Sequence, residues 1–116
     1  MNIEEIREYC LAKPGVTEHF PFDEVTLVFK VMGKMFALTN LDGETTINLK
    51  CDPEKAIELR EQHEDIVPGY HMSKIHWNTV YATRNLGSLF LKELIDESYH
   101  LVVESLPKKT RQQLQG

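Results

Sequence analysis

A chain of 116 residues with 41% hydrophobic and 27% charged side chains has the composition of one folded domain over residues 1–116, too short for two ordinary domains and too apolar for a disordered segment. Its formal net charge of -5 argues against indiscriminate nucleic-acid binding by the molecule as a whole. No apolar run nears the roughly 20 residues that cross a membrane, and residues 1–8 lack the basic and apolar regions of a signal peptide, so a soluble, cytoplasmic protein is expected.

In chain order, Asn2 with Glu5 three residues on predicts a capped helix that carries Ile3, Ile6 and Cys10 and stops near Lys13, ahead of the breaker pair Pro14-Gly15. Residues 16–24 read as a loop whose Phe20 or Phe22 is expected to fold back onto the core. From Val25 the period becomes two, with Val25, Leu27, Phe29 and Val31 on one side and Thr26, Val28 and Lys30 on the other. Met32-Gly33 turns the chain into a second strand with Phe36 and Leu38 on its apolar side. Asp42-Gly43 turns it again into a third, with Ile47 and Leu49 inward. Asp52 caps a second helix with Pro53 in its first turn, running to about Gln62 with Ala56, Ile57 and Leu59 inward.

Pro68 limits residues 66–70 to a turn or short edge strand. Residues 76–82 alternate as a further strand, with Trp77, Thr79 and Tyr81 on one face and His76, Asn78 and Val80 on the other; parity does not say which face is buried. Ser88 is the expected cap of the longest helix, whose stripe Leu91, Leu94, Ile95, Ser98 and Val102 marks a core face. Pro107 ends it or starts a last short turn, before a basic tail of Lys108, Lys109 and Arg111. The pattern predicts an α+β fold, an antiparallel sheet with helices packed on one face. The lone pair Cys10 and Cys51 is expected as two buried reduced thiols.

Residues 69–80 concentrate the only Trp, two of the five His and a Lys, with no acid among them. No Asp or Glu occurs anywhere in residues 66–92, while six acids fall in residues 1–24. If helices cover the face bearing Phe29, Phe36, Leu38, Ile47 and Leu49, the opposite face gathers Thr26, Lys30, Thr46, Asn48 and Lys50, with His76 and Asn78 as further candidates. Such a face either binds a polyanion or is the wet side of the sheet. For nucleic acid, Lys30, Lys50, Lys74 and Arg84 would neutralise phosphates, His71, His76 and Asn78 would offer polar contacts, and Tyr70 or Trp77 would stack on a base. The same block could instead dock a protein through Trp77, Tyr70 and Met72.

His71 and His76 are five apart, which fits neither helical nor strand spacing for two ligands of one metal, and no cofactor is expected. No serine sits in a nucleophile-elbow setting, so catalysis is not expected either.

Taken together, Pro14-Gly15-Val16-Thr17-Glu18 with Phe20-Pro21-Phe22, the block from Pro68 through Lys74 to Val80, and Ser98-Tyr99 with Leu106-Pro107-Lys108-Lys109 resemble the MmcQ/YjbR family of small bacterial proteins. The resemblance covers nearly the whole chain. It implies a fold similar to the bacterial frataxin homologue CyaY and to the double-wing DNA-binding domain of a phage transcription factor, and with it a DNA-binding role that rests on likeness of fold. It also raises a weaker alternative, iron binding through an acidic first helix bearing Glu4, Glu5 and Glu8.

Overall fold

In a computed structural model that describes residues 1–70 and 72–115, the chain builds a six-stranded antiparallel sheet with four helices. Helix α1 (Ile3–Leu11) starts with the reciprocal cap read from the sequence: the Asn2 side chain accepts from Glu5 N (2.9 Å) and the Glu5 carboxylate from Asn2 N (3.1 Å). The remaining elements are β1 (Val16–His19), β2 (Thr26–Val31), β3 (Lys34–Asn40), β4 (Thr46–Lys50), α2 (Pro53–Gln62), β5 (Ile66–Pro68), β6 (Trp77–Tyr81), α3 (Ser88–Ser105) and α4 (Lys108–Gln115).

The sheet order β1-β2-β3-β4-β6-β5 follows from two rules. Short turns force β1 to β4 into a meander. The β2–β3 turn has Met32 and Gly33 both at positive φ, 48° and 87°, the twist that antiparallel neighbours favour. After β4, α2 carries the chain across the sheet to the β5 edge, and β6 returns between β5 and β4. Helix α2 is capped by Asp52, whose carboxylate accepts from Lys55 N (3.3 Å).

One core fills the space between the sheet and the helices. It joins Ile6 and Cys10 of α1, Ala56 and Leu59 of α2, and the predicted stripe of α3 to Leu27, Phe29, Val31, Phe36, Ile47, Leu49, Ile66 and Val80 of the sheet. The other sheet face is left without helices.

Several expectations give way to tertiary structure. Residues 16–19 form an edge strand rather than part of a loop, because β2 supplies the pairing and α1 supplies Arg7, which grips Glu18 through two bonds of 3.0 and 2.7 Å. Phe20 and Phe22 do not fold back; they are 48% and 64% exposed. Phe36 and Leu38 do not share a side. The register slips between Phe29 and Lys30, so that Phe29 faces Ala37 while Lys30 faces Met35, and Phe36 is the extra residue of a bulge. Phe36 therefore points at the helices, edge-on to Tyr99 with ring centroids 5.4 Å apart, and Leu38 points away from them. The Phe36 carbonyl accepts from Ser98 Oγ (2.6 Å), and the same hydroxyl accepts from Lys50 N (2.9 Å), which bridges β3 to β4.

Ile57 lies on the solvent side of α2, Gly87 rather than Ser88 is the α3 cap, and the basic tail is an ordered helix. That last helix holds because Leu114 packs on the core over Gly15, where a Cβ would come within 2.3 Å of Leu114 Cδ2.

Candidate functional site

The helix-free face carries the candidate site. Cross-strand pairing places His19, Val28, Leu38, Asn48, Thr79 and Val67 in one row, and Thr26 with Asn40, then Thr46 with Tyr81, in the next. On the other flank Thr17, Lys30 and Met35 form a third row, with Lys50 and Trp77 continuing it. A small second core of Val28, Leu38 and Trp77, covered by Met35 and Met72, sits on this face.

Beside it the face hollows into an open trough of about 700 Å³. Phe22 and Asp23 wall one side, Pro68, Tyr70 and Met72 the other, and Thr26, Leu38, Asn48, Thr79 and Tyr81 contribute to its floor. A second hollow, beneath α3 at Leu49, Cys51 and Leu94, has room for about one water at about 10 Å³.

Two polar side chains of the floor tie it to the rim. Thr79 Oγ1 donates to Asn48 Oδ1 (2.6 Å) and accepts from Tyr70 N (2.9 Å), while Asn48 Nδ2 donates to Tyr70 O (3.3 Å). Two strand side chains thus hold the backbone of the rim residue Tyr70. Gly69 lets the rim close, since a Cβ there would stand 2.8 Å from Trp77 O. At the other end Asp23 accepts from Val25 N (2.9 Å), Thr26 N (2.6 Å) and Thr26 Oγ1 (3.0 Å), and these bonds, that from Val25 first, hold its carboxyl below the usual range.

The structure divides the residues singled out from the sequence. Lys30 and Lys50 lie on the open face, and among the described residues neither forms an ion pair. Tyr70 stands on the trough rim, 70% exposed. Trp77 faces the same side but is 9% exposed beneath the two methionines, so its ring is a wall behind the trough and not an open stacking platform.

Asn78 belongs to the opposite face: it is buried, donating to Ala56 O (3.4 Å) and accepting from Arg60 Nη1 (3.2 Å), which removes it from any surface contact. Arg84 is already engaged. It grips Glu44 (Nη2 to Oε1, 2.8 Å), approaches Asp65 (3.8 Å) and lies 3.8 Å over the Tyr81 ring, and the Glu44 hydrogen bond raises its pKa while lowering that of Glu44. Lys74 and His76 are exposed in the loop before β6; the Lys74 carbonyl is held by Arg60 (2.9 Å), on the α2 side. The expectation for His71 lies outside the described residues.

Cys10 and Cys51 are buried thiols; burial pushes Cys10 up to about 12 and Cys51 also upward. Among the described residues no three His, Cys, Asp or Glu converge as metal ligands, and Glu5 of the acidic first helix is spent in its cap. No helix among the described residues is long and apolar enough to cross a membrane. The sequence also offers a weaker small-molecule or metal site beneath the aromatic loop His19–Phe22, and Phe22 does line the trough; sequence reasoning missed Asp23 and Tyr81 as parts of a nucleic-acid site.

Fold and face together define a small α+β domain whose sheet leaves one side open around a trough. A family model described as YjbR matches residues 11–101. The chain is 36% identical to the Escherichia coli (strain K12) protein YjbR over 115 residues, 98% of each, and 38% identical to YbdF of Escherichia coli O157:H7 over 112 residues, 96% of this chain and 92% of that one. A crystal structure from Deinococcus radiodurans, its domain designated DUF419, superposes with a TM-score of 0.90 at 40% identity over 97% of this chain and 87% of that one. One from Pseudomonas syringae gives 0.77 at 29% identity over 87% and 98%. The chain belongs to the YjbR family.

Proposed function

We propose that this protein is a non-enzymatic binding module that takes nucleic acid on the open face of its sheet. One observation carries the reading. Of the 18 Asp and Glu residues only Glu18 lies in a strand, and it faces the helices, held by Arg7. An acidic protein thus keeps one face clear of strand carboxylates and sets two cations, Lys30 and Lys50, there. The absence of catalysis is supported by both thiols being buried in their neutral form and by the trough hydroxyls of Thr79 and Thr26 being bonded to protein partners.

With two face lysines the salt dependence of affinity should have a log-log slope of roughly -1.4 on single strands or -1.8 on duplex DNA. Lys30→Glu with Lys50→Glu should abolish binding of a fluorescent oligonucleotide while leaving the circular dichroism spectrum unchanged. Binding that ignores both salt and the double charge reversal would overturn the reading. It would favour the alternative, a protein adaptor, for which the exposure of Phe22 and Tyr70 on the two walls of the trough is the supporting observation.

A further inference from the structure

We infer that the trough takes a single unpaired nucleobase, with the attached phosphate toward Lys30 and Lys50, so that the face selects single strands over duplex. This rests on the nucleic-acid reading above and adds to it the form of the ligand.

Shape comes first. A hollow of about 700 Å³ is within the range of clefts that engulf a small molecule. A duplex keeps its bases stacked and presents only their edges in the grooves, so it cannot fill such a space, whereas an unpaired base can be splayed into it. The walls are suited to a ring. Phe22 and Tyr70 face the trough from opposite sides, 64% and 70% exposed, and Tyr81 lies on its floor with Arg84 stacked 3.8 Å from the ring centroid. Exposed aromatic posts are the means by which single-strand binders hold successive bases without reading them.

Charge then sets the direction. Among the described residues the only acid lining the trough is Asp23, at the β2 entry, and no lysine or arginine lines it. Lys30 and Lys50 lie two residues further along their strands than Val28 and Asn48, about 7 Å at the usual strand rise. A carboxylate end, an aromatic middle and a cationic end match a nucleotide whose amino-bearing base enters first and whose phosphate stays outside. The floor amide of Asn48 gives one Nδ2 hydrogen to Tyr70 O, which leaves the other for a base edge.

The test compares three ligands of one length with the full chain: a fluorescent single-stranded oligonucleotide, the same strand annealed into a blunt duplex, and an abasic sugar-phosphate chain. The single strand should bind at least about fivefold more tightly than either of the others, the lower limit of one stacked base. Tyr70→Ala should weaken the single strand by about 5- to 150-fold and leave the abasic chain unchanged. Phe22→Ala, exposed on the opposite wall, gives the same readout should the Tyr70 variant misfold. Lys50→Ala should lower single-strand and abasic binding by the same factor. Equal, salt-dependent binding of all three ligands would overturn the base pocket while leaving the nucleic-acid face standing. Binding by none of them would overturn both.

Discussion

Ser98→Ala is the most revealing single change to the fold, because one buried hydroxyl serves two backbone groups on neighbouring strands. Ser98 is fully buried; its Oγ donates to Phe36 O at 2.6 Å and accepts from Lys50 N at 2.9 Å. Phe36 and Lys50 lie just beyond the last paired residues of β3 and β4, Ala37 and Leu49, so the hydroxyl bridges the two strands where their direct pairing stops. Alanine keeps the helix and strands a buried carbonyl and a part-buried amide, each costing about 1–3 kcal/mol when unsatisfied, against a small gain from no longer burying a hydroxyl. A net loss of about 2–4 kcal/mol follows, a large share of the roughly 5–15 kcal/mol that holds a domain of this size. At about 4 °C per kcal/mol the melting temperature should fall by about 8–16 °C. Urea unfolding followed by circular dichroism reads the change directly. Ser105→Ala is the control: its hydroxyl bonds only to Val102 O on the exposed end of α3, so the loss should stay within about 0.5 kcal/mol. A Ser98→Ala loss below about 1 kcal/mol, with the fold intact, would refute the reasoning that this hydroxyl holds the ends of β3 and β4 together.

Two further outcomes follow from buried chemistry. With Cys10 pushed up to about 12 and Cys51 also raised, neither thiol should react with Ellman's reagent at mildly alkaline pH except through unfolding; a fast-reacting thiol in the native protein would contradict the burial of the core. Asp96 joins α3 to α1 by accepting from Tyr9 Oη (2.6 Å) and pairing with Lys13. Burial opposes its charge, but the bonds from Lys13 and Tyr9 prevail and hold its pKa below the ordinary 3.8. Its contribution is therefore fully present above that value and is lost as pH falls through the lower folded-state pKa. Asp96→Asn should be less stable than wild type at neutral pH, and the two should converge below about pH 3.8; a gap that persists in acid would show that the side chain acts by packing alone.

The features legible in the sequence are those governed by neighbours in the chain. The Asn2–Glu5 and Asp52 caps, the Met32-Gly33 turn and the stripe from Leu91 to Val102 depend on spacing within a few residues, and each stands where spacing puts it. The misread features depend on distant partners. Leu38 changes face because a bulge breaks the alternation, and β1 exists because β2 offers it an edge. Strand β6 hides its own orientation, since Trp77, Asn78, Thr79 and Val80 are all buried and either parity is compatible with a core. Arg84 looked like a phosphate ligand until its partner Glu44, 40 residues away, came beside it. The trough itself is not written locally at all: its two walls, Phe22 and Tyr70, meet only across the finished sheet.

The proposed nucleic-acid role of the open face can be tested without labelling, because the single Trp lies beside the trough. Trp77 packs with Leu38 and Met72, which also line the trough, so a ligand entering there must disturb its surroundings. Titrating the protein with a single-stranded oligonucleotide while following Trp77 emission should give a saturable change whose affinity falls with salt at a log-log slope of roughly -1.4. Emission that stays constant up to high ligand, together with no change in the anisotropy of a labelled strand, would contradict it.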